Sequence, residues 1–143
     1  MPCSTETASF MDPEISVEFY TKVLGMELIS AYDHSNGNDS LETKQERKLK
    51  REGVLELSHY HGTESDPDFT GYANGNTDPR GFGHIAISVD NVEETCERFE
   101  KLAVTFEKRA SEGDIKGIAF ICDPDGYWIE IVPKEFLWFV ESS

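Results

Sequence analysis

Two stretches of the chain carry apolar residues at a helical interval, and each leads into a run with the alternation of a strand. Met11-Asp12-Pro13-Glu14 reads as a helix start. Asp12 can cap the first turn, Pro13 suits the first helical position, and Glu14 favours the positive end of the helix dipole. Ile15, Phe19 and Val23, with Tyr20 beside them, then share one face, and Gly25 stops the helix after Leu24. Met26 to Tyr32 alternates enough to be a strand, whereas CSTETASF ahead of the helix is poor as one. Val54 to Tyr60 (VLELSHY) reads as a strand.

The second stretch follows two polar segments. His34 to Gly53 holds few apolar residues and a charged run, ETKQERKLKREG, that reads as solvated surface. Gly62 to Gly81 is rich in Gly, Asp, Asn and Pro and reads as a long connection. Then Phe82 to Val89 is a strand. Asp90 or Asn91 caps a helix with Val92, Cys96, Phe99 and Leu102 at helical spacing. Val104 to Lys108, Gly117 to Cys122 and Tyr127 to Val132 are strands, the last two joined by a tight turn at Asp123-Pro124-Asp125-Gly126.

The halves repeat. EISVEFYTKVLGMELI matches VEETCERFEKLAVTFE in type, and VLELS matches WIEIV, each with one Glu between apolar residues. The expected fold is α+β, two βαβ-rich modules in one domain over 1–143. The first module covers about 4–60, a linker about 61–81, the second module about 82–133, and a tail 134–143. With the polar run at 34–53 in place of an apolar strand, the first module is one strand short.

Charge and cysteine content narrow the functional classes. A net charge of −15 argues against nucleic acid and anionic membrane surfaces as partners. The three cysteines, Cys3, Cys96 and Cys122, are odd in number and form no CxxC pair, which fits reduced thiols in the cytoplasm. No apolar run reaches membrane-spanning length, and MPCSTETASFMDPE lacks the basic and apolar regions of a signal peptide.

The chemistry gathers at the repeated glutamates. Glu56 lies between Leu55 and Leu57, and Glu130 between Ile129 and Ile131, so each points to the face opposite its apolar neighbours. A carboxylate on an inner sheet face needs a cation, a metal or a ligand. His84 in GFGHIAI completes a two-Glu, one-His set that suits zinc, nickel, cobalt or manganese. His59 and His61 are weaker ligand candidates. Arg80 is either an ion-pair partner of local carboxylates or a clamp on an anionic ligand. Lys108 and Lys116 flank a loop, KRASEGDIK, that either closes on a ligand or is plain surface.

DPEISVEFYTKVLGMELI, LELSHYHGTESD, GYANGNTDPRGFGHIAISV, CERFEKL and DPDGYWIEI closely resemble the glyoxalase I (lactoylglutathione lyase) family of the vicinal oxygen chelate superfamily, from about Asp12 to Val132. The resemblance implies paired βαβββ modules, commonly a homodimer. It also implies isomerisation of the hemithioacetal of methylglyoxal and glutathione to S-lactoylglutathione, with zinc or nickel as the metal. It places Glu56, His84 and Glu130 among the metal ligands, with Glu130 the principal base and Glu56 its equivalent for the other hand of substrate. Arg80 and Lys108 fall on glutathione-contact positions, and Ile115 and Lys116 on a loop covering the substrate. Thr5, Ser9 and Tyr60 stand where the family carries its fourth ligand, an arginine and an asparagine. The alternative is a family member that binds a metal or small molecule without turnover.

Overall fold

The computed structural model describes residues 6–31 and 53–135. Thr5, Tyr32, most of the polar run at 34–53 and the tail beyond 135 lie outside them. The chain divides into two compact units, Met1–Thr70 and Gly71–Ser143. Each mixes helix and strand, and the fold is α+β.

The first unit holds β1 (Glu6–Phe10), α1 (Pro13–Glu18), a π-helical turn at Phe19–Val23 and β2 (Leu55–His59). β1 and β2 pair in parallel, with Thr7 opposite Glu56 and Phe10 opposite His59. The N-terminal stretch, poor as a strand by composition, is therefore one. The ladder to β2 satisfies its backbone, and that outweighs weak propensity. The converse holds at 26–31, where the expected strand does not form. No described strand pairs with this segment, so among the described residues no sheet ladder forms along it.

Asp12 caps α1 as its position predicts, its Oδ1 accepting from the Glu14 and Ile15 amides at 2.9 and 3.3 Å. Gly25, at φ 72°, ends the helical stretch in a conformation that favours glycine. The buried face differs from the expected one. Ser16 and Tyr20 are buried, whereas Ile15 is 53% exposed. Ser16 and Tyr20 are four residues apart and so share a stripe. A small residue there lets the helix backbone approach its packing surface closely.

The second unit is a complete βαβββ module: β3 (His84–Val89), α2 (Val92–Lys101), β4 (Phe106–Lys108), β5 (Ala119–Cys122) and β6 (Trp128–Pro133). Its sheet order is β3-β6-β5-β4, with β3 and β6 parallel and the remaining pairs antiparallel. Ile118, Ala119, Ile121, Ile129, Ile131 and Val132 form the core with Val92 and Phe99 of α2. Of the two candidate caps it is Asn91 that works, its Oδ1 accepting from the Glu94 amide at 3.1 Å. Leu102, expected on the apolar face, stays 47% exposed at the helix end.

All four strands start later than the alternation suggests, for one reason. The missing residues have backbone groups already bonded elsewhere. Gly83 O accepts from Asn76, Val104 N donates to Phe99 O, Gly117 N donates to Ala110 O, and Tyr127 N donates to the Asp123 carboxylate. Asp123 organises the tight turn, its Oδ1 also accepting from Asp125 N at 3.0 Å.

Ile131 is fully buried. Ile131→Ala is expected to lower unfolding free energy by about 2–5 kcal/mol in denaturant titration. Ile115→Ala, at a residue 57% exposed, is the control and is expected to change it by under about 0.5 kcal/mol.

Candidate functional site

Strand alternation divides the second sheet into two faces. Ile85, Ile87, Ile129, Ile131, Ala119 and Ile121 turn to one side. The other side is read off the register. Ala86 lies opposite Glu130, Glu130 opposite Phe120, and Phe120 opposite Lys108. The adjacent row runs His84, Trp128, Cys122. A carboxylate, an imidazole, an ammonium and two aromatic rings thus share one face.

His84 and Glu130 meet there. His84 Nε2 is 3.5 Å from Glu130 Oε2, with the side chains 38% and 16% exposed. That is long for an N–H···O hydrogen bond, which centres near about 2.9 Å. It is close to the separation of about 3.4 Å that two donors take at adjacent corners of a tetrahedron around zinc. The nitrogen–oxygen donor pair and its spacing fit a divalent cation. Phe120 packs edge-to-face on the His84 ring at 5.1 Å and also contacts Trp128 at 5.7 Å. These aromatic walls define the ring's position and were not singled out by sequence.

Cys122 stands at the end of the His84 row. Burial raises its thiol above the usual range, and the carboxylates of Glu107 and Asp123 add to the effect. It is a neutral group on the site face near neutral pH.

The approach to His84 is set by a loop built on Asn74, Gly75 and Asn76. Asn74 accepts from the Asn76 amide at 3.1 Å and donates to Gly126 O at 3.2 Å. Asn76 Nδ2 donates to Gly83 O at 2.7 Å, directly before His84. Gly75, at φ 76°, lies so close to Phe82 that a Cβ there would meet the Phe82 carbonyl oxygen at 2.0 Å. The loop therefore holds both the β3 entry and the turn before β6. NGN reads in sequence only as part of a polar connection; its role needs partners at residues 83 and 126 to be seen.

The other sequence candidates are placed as follows. Arg80 is exposed on the same loop. Lys108 Nζ donates to the Ile115 and Ile118 carbonyls, both at 2.8 Å. Lys116 Nζ donates to Ser111 O at 2.5 Å. Glu56 is half-buried at the centre of β2 in the first unit. His59 Nε2 meets Glu64 Oε2 at 2.9 Å, and its ring stacks on Phe10. The Glu64 carboxyl is lowered by backbone hydrogen bonding and by His59. His61 is exposed and packs edge-on to His59. Ser9 is half-buried in β1 and Tyr60 is 63% exposed after β2. Among the described residues no group of three or more His, Cys, Asp or Glu side chains gathers at metal-holding range.

Comparison with known proteins gives these residues a context. The family described as the Glyoxalase/Bleomycin resistance protein/Dioxygenase superfamily matches residues 8–131. A lactoylglutathione lyase of Pseudomonas putida is 46% identical over 136 residues, covering 85% of this chain and 78% of its own. A glyoxalase I of Saccharomyces cerevisiae is 43% identical over 135 residues, covering 85% of this chain and 41% of its own. Among solved structures, the trypanothione-dependent glyoxalase I of Leishmania major aligns with a TM-score of 0.67 and 25% identity, over 96% of this chain and 89% of that one. TnmS3, an antibiotic binding protein from Streptomyces, shares the fold at a TM-score of 0.55 and 17% identity, over 91% of this chain and 94% of that one.

Two outcomes test this geometry. Gly75→Ala is expected to lower thermal stability, because the loop cannot keep its contact with Phe82. Cys122 is expected to react with iodoacetamide only at higher pH than the same cysteine in the denatured chain, since its raised pKa leaves less thiolate at a given pH. Mass-spectrometric labelling rates across a pH series measure this.

Proposed function

Because the chain belongs to the glyoxalase/bleomycin resistance protein/dioxygenase superfamily, we propose that it acts as a lactoylglutathione lyase. The reaction is metal-dependent isomerisation of the methylglyoxal–glutathione hemithioacetal to S-lactoylglutathione. The observation that carries this reading is the His84–Glu130 pair, held at 3.5 Å on the open face of the second sheet, in a chain whose curated relatives bear that name.

His84 and Glu130 would hold the ion from this unit, and Glu56 is our third ligand. Zinc is the preferred metal for the nitrogen–oxygen donor set, with nickel second. A bound divalent ion would supply Lewis acidity to the substrate oxygens.

Glu130 is the base. Its carboxylate takes the proton from the carbon that bears sulfur and returns it to the neighbouring carbon. The electron pair of the broken C–H bond passes through the enediol and ends in the new C–H bond. The hydroxyl oxygen gives up its proton and becomes the thioester carbonyl, and the ketone oxygen gains a proton and becomes the product hydroxyl. Atoms and electrons balance within the substrate, so no oxidant or reductant enters. Partial burial raises the value of a positioned carboxylate by limiting competition from water. We assign Glu56 the same task for the opposite hand of substrate. Phe120 and Trp128 form the apolar wall beside the proton path.

Arg80, Lys108 and Lys116 supply positive charge for the glutathione carboxylates. In a chain of net charge −15, local cations are needed to hold an anionic substrate. We assign the protein to the cytoplasm, where glutathione keeps thiols such as Cys96 and Cys122 reduced. No described helix is long and apolar enough to cross a membrane. We expect a homodimer.

The test is turnover of methylglyoxal plus glutathione by zinc- or nickel-loaded protein. Glu130→Gln preserves the side-chain shape and removes the base. It is expected to cut kcat by at least about 100-fold. Absence of glutathione-dependent turnover in folded, metal-loaded wild type would overturn the lyase reading in favour of a binding protein.

A further inference from the structure

The loop before β3 turns on one side-chain amide. Asn74 Oδ1 accepts from the Asn76 amide at 3.1 Å, and Asn74 Nδ2 donates to Gly126 O at 3.2 Å. Asn76 Nδ2 donates back to Asn74 O at 3.3 Å and onward to Gly83 O at 2.7 Å. Gly81 N donates to Gly75 O at 3.0 Å and closes the loop. The start of β3 and the turn before β6 are tied together through Asn74.

The geometry fixes the residue type at two adjacent positions. Position 74 must accept from one backbone group and donate to another. A carboxamide does both, whereas a carboxylate of the same shape has no hydrogen to donate. Position 75 must hold φ +76° without a Cβ, which would meet Phe82 O at 2.0 Å. Asn followed by Gly meets both demands. It is also the pair in which a side-chain amide is most open to attack by the next backbone nitrogen, because no Cβ shields that nitrogen.

In that attack Gly75 N loses its proton and bonds to Asn74 Cγ. The Cγ–Nδ2 bond breaks, and Nδ2 takes a proton and leaves as ammonia. Water then opens the cyclic imide at either carbonyl and gives aspartate or isoaspartate at position 74. Water is the co-reactant, and nothing is oxidised or reduced. Aspartate puts an oxygen against the Gly126 carbonyl where the donor was. Isoaspartate adds a methylene to the main chain ahead of Gly75, whose contact with Phe82 has no room for it.

The folded loop opposes this reaction. Asn74 and Gly75 are half-buried, and the carboxamide is held at both its oxygen and its nitrogen. Attack makes Cγ tetrahedral and swings both atoms off their partners, so it proceeds from a loop that has opened.

We infer that the Asn74–Gly75 peptide is a deamidation site gated by opening of its loop, and that the reaction releases the starts of β3 and β6 from one another. The inference is independent of the lyase reading.

The full chain, native and in denaturant, is incubated at mildly alkaline pH in heavy-oxygen water. Peptide mapping by mass spectrometry reads label at position 74. Label is expected in denaturant, and the native rate is expected to be at least about tenfold lower. Asn76→Ala removes the side-chain bonds to Gly83 and Asn74 but keeps the backbone amide that Asn74 uses. It is expected to speed the native reaction about fivefold, as the loss of one hydrogen bond implies. No label at position 74 in denaturant overturns the site. Equal native and denatured rates, or an unchanged native rate in Asn76→Ala, overturn the gating. Should Asn76→Ala not fold, wild type below its unfolding transition takes its place: a rate that climbs with denaturant supports the gating, and a constant rate overturns it. The modified fraction carries added negative charge and is separated by ion exchange. Its amides at the starts of β3 and β6 are expected to exchange hydrogen faster than in unmodified protein, with those of α2 unchanged. Identical exchange in the two fractions overturns the release.

Discussion

The parallel pairing of β3 with β6 is the constraint on which the site depends. With Ala86 opposite Glu130 and His84 opposite Trp128, the imidazole and the carboxylate come to the same face, one diagonal step apart. The same register sends Ile85, Ile87, Ile129 and Ile131 to the other face, against α2. A one-residue slip would exchange the two sets. It would bury the carboxylate in the core and expose the isoleucines. Burial of four-carbon side chains on one face therefore defends the placement of the chemistry on the other.

The strand ends are held by side chain to backbone bonds rather than by sheet propensity. Asp123 gathers the amides of Asp125 and Tyr127 before β6. Asn76 takes the Gly83 carbonyl before β3, and Asn74 reaches Gly126 in the turn before β6. The two strands that carry His84 and Glu130 are thus linked at their starts by one loop. Small residues make this loop possible, since Gly75 sits where no Cβ fits against Phe82. At the opposite edge of the sheet Gly113 does the same for the Lys108 stem. The cations assigned to the substrate have structural duties as well. Lys108 and Lys116 both bond to loop carbonyls, so substitution of either tests more than charge.

The internal repeat was readable because it is a matter of pattern. Both Glu strands, β2 and β6, pair in parallel with the strand that precedes the helix, as the match between VLELS and WIEIV implies. Capping by Asp12 and Asn91 and the Asp123 turn were readable too, since each depends on residues two to four apart. β1 and the segment at 26–31 were misread in opposite directions. In both, a distant ladder partner, present for β1 and absent among the described residues for 26–31, outweighed local composition. The burial of Ser16 in place of Ile15 is a similar failure, because which stripe of a helix is covered depends on what lies beside it.

For the site, residue type and alternation alone nominated His84 and Glu130, because a polar group between two apolar ones on a strand must leave the core face. The order of helix and strand, and the acidic surface, were likewise set by the chain's own pattern of residues. Their 3.5 Å separation, the Phe120 ring against the imidazole, the neutral thiol of Cys122 and the two hydrogen bonds of Lys108 to the Ile115 and Ile118 carbonyls were decided only in three dimensions. Each needs strands that are far apart in sequence to lie about 4.8 Å apart in a defined register. That register is a property of the packed sheet, and no local window of the sequence contains it.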